Sequence, residues 1–459
     1  MNALLRAFPL FMLALMAASV GADTPQEAAP VKQTLPDGAT IIVRQETATP
    51  LVAIDAFIRV GAGQETSDKA GLGSYVARTL LASTQSRSPD RMAHDIGALG
   101  GSVNATWNVD WTQLSALTVK DKFGDAARLV MDALSNATFD PNAVSDARQQ
   151  ALSEIDASDA GIFQLGYGSL RRSLYAGSGY ALPALGTSGT VRRIQQRDLL
   201  DYYHQYYTPK NLVLVVVGNV APADAIRALT QGLQDMDDPS RGAARRASTP
   251  EPPPMPVADL PTVRRSVPGL AETLIIVGYR AAPESSPDYA PMLVANALLG
   301  GMKSSRLFVN LREKQGLAYD LGSAYSAQDS TGDLVAFAFA PIRTAQTANA
   351  PTAGQVKAQI LSQFAALREA PPTPAELSRA QHFLVGSYLI KHERLEDRAT
   401  LLGIAELTRA EGYLWDTDYA RYIGAVTAAD VQRVAAKYFT HPGVSVVEPD
   451  AKEGALTAE

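Results

Sequence analysis

The chain has 459 residues, no cysteine, five histidines and a formal net charge of −6. That length is material for two or three domains, and 46% hydrophobic with 19% charged residues is the composition of a folded protein with sizeable cores. Absence of cysteine excludes disulfides, thiolate zinc sites, iron–sulfur clusters and a cysteine nucleophile, and the acidic balance argues against nucleic acid as a partner.

In chain order, residues 1–22 read as a secretory signal. Arg6 is the only charge, Ala7 to Val20 is apolar, and Val20-Gly21-Ala22 offers a small-residue cleavage site before Asp23. The apolar run is shorter than the ~20 residues a membrane-spanning helix needs. No second long apolar stretch follows, so the expectation is a soluble, exported, periplasmic protein without stable membrane insertion.

Residues 31–238 then form a first unit. It opens on the β-rich run Leu51 to Val60 and continues with a helix-like segment, Gly71 to Ser83. A strand pair over Gly101 to Leu117, a helix over Asp140 to Asp156 and the hydrophobic strand Asn211 to Gly218 follow. Residues 239–262 form a linker carrying prolines at 250, 252, 253, 254, 256 and 261. Such a stretch is extended and exposed, and its Arg241, Arg245 and Arg246 read as solvation.

Residues 263–448 repeat the order. Thr273 to Tyr279 is a strand, Ala290 to Leu299 a helix, Gly322 to Ala340 a strand pair, Thr373 to Leu389 a helix, and Gly443 to Val447 a closing strand. Ala350 to Gln355 reads as loop, and residues 449–459 as a tail. The fold class predicted is α+β, with two similar domains, each an antiparallel-rich sheet covered on one face by helices.

Several strings give this pattern an identity. They are Gly61-Ala-Gly-Gln-Glu65, Ala70-Gly-Leu-Gly-Ser74, Gly100-Gly-Ser-Val-Asn-Ala-Thr106 and Tyr207-Thr-Pro-Lys-Asn-Leu-Val213 in the first half. Leu298-Leu-Gly-Gly301, Ser305-Arg-Leu-Phe308 and Leu311-Arg-Glu-Lys-Gln-Gly-Leu-Ala-Tyr319 follow in the second. In order and spacing the chain resembles the insulinase/pitrilysin family, in the short-subunit form of the processing peptidases.

The resemblance implies an inverted zinc motif, H-x-x-E-H, after the Ala70-Gly-Leu-Gly turn. Residues i and i+4 stack on one helix face and can both hold zinc, while i+3 serves as general base. The frame here gives Ser74-Tyr75-Val76-Ala77-Arg78, so both histidines and the base are replaced. The family's third ligand, a glutamate about 76 residues beyond the second histidine, falls on Glu154. One carboxylate does not hold zinc, and the expectation is instead an ion pair between Arg78 and Glu154 at the family's metal position. No other histidine group offers a site: His94, His204 and His441 are isolated, and His382 and His392 sit about 80° apart around one helix. His392-Glu393 begins a thermolysin-like motif, but position 396 is glutamate.

Arg312 and Tyr319 match the family's arginine–tyrosine pair. By resemblance the phenol steadies the oxyanion forming at the scissile carbonyl, and the guanidinium holds the substrate backbone, which suits the electrostatics of both groups. A plain alternative is a loop in which Arg312 pairs with a nearby acid and Tyr319 packs.

The implied role is a non-zinc-binding subunit of a heterodimeric metallopeptidase. It carries no metal or cofactor of its own, and zinc is expected in a homologous partner subunit that completes a peptide-cleaving site. The alternative is a catalytically inactive peptide-binding or scaffold protein of the cell envelope. Peptide would be held by strand addition, with Gly101 to Trp111 as a candidate sheet edge. The alternation of Val103, Ala105, Trp107, Val109 and Trp111 in that segment is also what any half-buried strand shows.

Overall fold

A computed structural model describes residues 29–236, 251–252, 254–342 and 349–450. The expected leader 1–22, most of the expected linker and most of the tail lie outside the described residues. The first sheet contains β1 (Val31–Thr34), β2 (Thr40–Gln45), β3 (Leu51–Ile58), β4 (Ser102–Trp107), β5 (Thr112–Val119) and β6 (Leu212–Gly218). The second contains β7 (Val263–Val267), β8 (Glu272–Ala281), β9 (Asp320–Ala327), β10 (Gly332–Pro341) and β11 (Gly443–Pro449).

Spatial order is β1-β2-β6-β3-β5-β4 in one sheet and β7-β11-β8-β10-β9 in the other. Apart from β1 the two orders superpose strand for strand. Each carries one parallel pair, β2 with β6 and β7 with β11, and is otherwise antiparallel. The predicted α+β duplication is therefore present, and β4 and β9 are corresponding edge strands.

Central strands are apolar along nearly their whole length because both of their faces are covered. β6 is buried at every residue and β3 at all but its first. One face of the first sheet packs on helices of its own half, including Phe123–Asn136 and Gln196–Tyr206. The other face is closed by Leu395–Thr408, a helix from the second half. Its Ala399, Leu402 and Leu407 meet Ile42, Ala53, Phe57 and Val215.

The second sheet is treated reciprocally. Helix Ile162–Leu174 of the first half lays Leu170 and Leu174 on Leu274, Ile276, Val335 and Val447. Covering on one face, as the sequence suggested, is thus corrected to covering on both, with one helix exchanged in each direction. An amphipathic helix announces an apolar side but not the sheet that receives it.

A second correction concerns Ala350 to Gln355. Thr352 accepts the amide of Gln355 while the Gln355 side chain accepts the amide of Thr352, a capping box that starts the helix Ala353–Glu369 inside the expected loop. Among the described residues no helix is long and apolar enough to cross a membrane.

Candidate functional site

The helix Leu72–Thr79 carries the positions of the expected zinc motif. Its entry requires Gly71, whose φ of 93° is left-handed. Just upstream, the buried Glu65 carboxylate accepts the amides of Gly71 and Gly73, both at 2.6 Å, and so satisfies donors at the helix start. Burial raises its pKa to about 8, against the lowering effect of those backbone bonds. This is the structural task of the Gly61 to Glu65 string, a role the sequence did not disclose.

On this helix Ser74 turns its hydroxyl back to donate to the Gly71 carbonyl at 2.8 Å, and Ala77 is buried. Arg78 reaches Glu154 on the helix Pro141–Ala160. One guanidinium nitrogen donates to Glu154 Oε1 at 2.9 Å, and the other donates to Oε2. The Arg78 side chain is 9% exposed and that of Glu154 50%. The hydrogen bond from Arg78 holds the Glu154 carboxyl below the usual carboxylate range.

Above the pair lies Trp107, the last residue of β4. The Arg78 guanidinium carbon is 4.5 Å from its ring centroid, a cation–π contact. Trp107 therefore does more than fill a half-buried strand. The strand itself stops there, short of the expected Trp111. Asn108 Oδ1 accepts the amides of Asp110 and Trp111, both at 2.8 Å, and turns the chain, while Trp111 packs edge-on against Phe57.

The donor set does not fit zinc. Its frame presents an engaged hydroxyl, an alanine, a guanidinium and one carboxylate already bonded to that guanidinium. Among the described residues no three His, Asp or Glu side chains gather in a metal-holding group.

In the second half, Arg312 and Tyr319 come together. Arg312 sits on Phe308–Lys314, a segment of widened i→i+5 helical turns, a distortion that often marks functional positions. Its guanidinium carbon lies 3.8 Å from the Tyr319 ring centroid and 4.7 Å from that of Phe308. Arg312 thus stacks on aromatic faces. Tyr319 is 75% exposed and immediately precedes β9, the edge strand equivalent to β4.

The preceding Arg306 donates to both oxygens of Glu376 at 2.9 and 3.2 Å, fixing the segment to the helix Pro374–Lys391. Burial alone would raise the Glu376 pKa, but Arg306 and the Thr373 amide outweigh it and bring it to about 2.

Of the histidines, His392 caps the C-terminus of Pro374–Lys391. Its Nε2 lies 2.8 Å from Asp416 Oδ1, and its Nδ1 lies 2.8 Å from the Tyr388 carbonyl. It borders a cleft of about 640 Å³ that also includes Arg44, Arg398, Leu389 and Leu414.

Comparison with known proteins agrees with this fold. The family model described as insulinase (peptidase family M16) matches residues 40–188, and the one described as the peptidase M16 inactive domain matches residues 193–384. The chain is 23% identical to an uncharacterized zinc protease of Bacillus subtilis over 89% of this chain and 95% of that protein. It is 27% identical to one of Streptomyces coelicolor over 91% of this chain and 89% of that protein.

Among solved structures, a protease from Helicobacter pylori superposes with a TM-score of 0.82 at 19% identity, covering 92% of this chain and all of the other. A peptidase M16 inactive domain from Pseudomonas fluorescens gives 0.80 at 19% identity, covering 94% and 100%. The chain belongs to the insulinase family of peptidases, and it is a member lacking the zinc motif.

Proposed function

We propose that this chain is the metal-free subunit of a two-chain, exported zinc metallopeptidase of the periplasm. The observation that carries the reading is the asymmetry between the two family sites. Arg78 and Glu154 close the metal position against each other, whereas Arg312 and Tyr319 remain stacked, with Tyr319 in the open.

In this role a homologous partner subunit holds zinc. Tyr319 donates its hydroxyl hydrogen to the oxyanion of a peptide carbonyl under attack, and Arg312 adds positive charge beside it. The test is co-expression with a homologous chain that has an intact H-x-x-E-H motif. Peptide cleavage is expected only in the mixture, with zinc bound to the partner alone. Cleavage by the partner at the same rate without this chain would overturn the reading.

A second reading, a non-catalytic peptide-binding or scaffold protein, draws support from β4. Among the described residues that strand pairs only with β5, so its outer edge can accept an extended peptide beside Trp107 and Arg78. Peptide capture without cleavage in the mixture would favour it.

A further inference from the structure

The cleft of about 640 Å³ beside His392 is lined from both halves of the chain, and it combines buried charge with apolar walls. Strand β2 brings Arg44 to it. Side chains alternate along a strand, so Arg44 shares a face with Ile42, which the exchanged helix Leu395–Thr408 covers. Two residues further on, Arg44 meets the cleft instead.

The Arg44 side chain is 7% exposed, and its Nε donates to Glu46 Oε1 at 2.8 Å. Neither of its terminal nitrogens donates a hydrogen bond to any described residue. Asp416 Oδ2 stands 3.9 Å from Nη1, too far for one. That oxygen is itself buried and without a hydrogen-bond partner among the described residues. Buried donors are almost always matched, so a guanidinium with both terminal nitrogens uncommitted at a cleft marks a place for an acceptor.

The surrounding charges leave room for an anion. Glu46 accepts from Arg44 and from Arg398. Asp416 Oδ1 accepts the Tyr388 hydroxyl at 2.6 Å and meets His392 Nε2 at 2.8 Å. The other ring nitrogen of His392 faces the Tyr388 carbonyl, so the doubly protonated ring satisfies both acceptors. Three cationic groups then share two carboxylates, and one further negative charge evens the count. Glu393 also borders the cleft, but it is exposed, where water and salt screen it.

The walls come from Val385, Leu389, Tyr413, Leu414 and Tyr419. Tyr419 is stacked on Tyr388 with ring centroids 3.6 Å apart, which stiffens that side. Leu389 and Leu414 are 66% and 47% exposed, so the apolar rim is open to water. The volume suits a small ligand or the end of a chain. An open rim lets a chain continue outward, whereas a free fatty acid would leave much of its tail in water.

We propose that this cleft binds the C-terminal end of an apolar peptide. The α-carboxylate forks onto the two terminal nitrogens of Arg44, and the last side chains lie against Leu389, Leu414 and Tyr413. A planar guanidinium matches a carboxylate in this two-pronged way, which a backbone amide cannot reproduce. The choice of a peptide rests in part on the proposed function, but the carboxylate seat does not. It shares no residue with the Arg312–Tyr319 pair.

The probe is a fluorescein-labelled hexapeptide ending in three leucines, made with a free C-terminal carboxylate and as the C-terminal amide. Fluorescence anisotropy on the full chain, with no partner present, should show the free acid binding at least about tenfold more tightly than the amide. Arg44→Gln should abolish that preference. Arg44 also neutralises Glu46, so this variant can lose stability, and Leu414→Glu supplies an independent check. That substitution sits at an exposed position, should leave the melting temperature unchanged, and should weaken the free acid by about tenfold through like-charge repulsion.

Equal binding of acid and amide overturns the proposal, since capture of backbone along a sheet edge gives that result. So does a preference that survives in folded Arg44→Gln, or free-acid binding undiminished in Leu414→Glu. Decanoate binding to a chain that does not bind the peptide acid overturns the peptide as occupant. The measurement needs no cleavage, so its failure is separate from failure of the peptidase reading.

Discussion

Arg78 and Glu154, 76 residues apart in sequence, meet in a two-pronged ion pair, as the spacing of the degenerate motif led one to expect. The Arg78 guanidinium is a fixed cation, and Trp107 covers it from the sheet edge. The pair links the helices Leu72–Thr79 and Pro141–Ala160 at a half-exposed position.

If the scaffold around this pair is intact, it is convertible. Ser74→His, Ala77→Glu and Arg78→His together place two imidazoles one helical turn apart and face them with Glu154. The triple variant should bind one equivalent of zinc by elemental analysis, and Glu154→Gln in that background should lose it. In the parent chain the pair itself is worth little, about 0.5–1 kcal/mol of coupling in a double-mutant cycle, because Glu154 is half in water. A coupling several times larger would mean that the pair holds the two helices together.

Tyr319 is exposed, so its hydroxyl does not serve the core. Tyr319→Phe should leave the melting temperature unchanged and lower kcat of the assembled peptidase by about 10²–10³-fold with little change in KM, as loss of an oxyanion donor does. Arg312→Lys keeps the charge but loses the planar stack on Tyr319 and Phe308, and should impair the same step less severely. Equal activity of the Tyr319→Phe complex and its parent, by steady-state peptide cleavage, would remove Tyr319 from the mechanism.

Much of this was legible in the residues. The frame that put Ser74 and Arg78 on successive turns also put Glu154 opposite, since helix periodicity and fixed spacing are local rules. Other contacts follow from no local rule. The alternation from Val103 to Trp111 marks a strand but does not say that Trp107 faces a guanidinium, nor that Asn108 ends the strand. Helix Ile162–Leu174 has an apolar side, yet its receiving surface is Leu274 and Val447 of the other half, set by the packing of the whole chain. Glu65 looked like part of a family string, and its work at the start of the Leu72–Thr79 helix became visible only with the helix in place.

The exchanged helices make one glycine critical. A methyl group at Gly403, on Leu395–Thr408, would overlap the ring of Phe57, which is fully buried and braced edge-on by Trp111. Alanine gains about 0.8–1 kcal/mol in helix propensity over glycine, but overpacking costs about 1–3 kcal/mol. Gly403→Ala should therefore be neutral to destabilising, and Gly403→Val clearly destabilising. Gly386, on Pro374–Lys391, has open space where a side chain would go, so Gly386→Ala should be stabilising. Thermal denaturation of the three variants decides it, and Gly403→Val melting at or above the parent would show that the two halves do not pack through Phe57.

His392 supplies a pH dependence of definite sign. Both ring nitrogens face acceptors, Asp416 Oδ1 and the Tyr388 carbonyl, which only the doubly protonated ring satisfies by donating twice. Burial by itself lowers the pKa of the ring, and Arg44 adds to that. The hydrogen bonds to Asp416 and Tyr388 outweigh both and raise it above the ordinary 6.5. The surroundings span the two halves: Arg398 donates to the His392 carbonyl and to Glu46, and Glu46 also accepts from Arg44. A folded-state value above the unfolded one means that the stabilisation is complete below about 6.5 and lost as pH rises through the raised value. Asp55, Asp110 and Glu65, all raised by burial, lose stability in the same direction, so the parent profile alone does not isolate the histidine. The difference between parent and His392→Gln does. Stability measured by urea denaturation should separate the two proteins most below about pH 6 and bring them together above about pH 8. A constant difference across that range would mean that His392 is not protonated in the folded protein and that its contacts are made by the neutral ring.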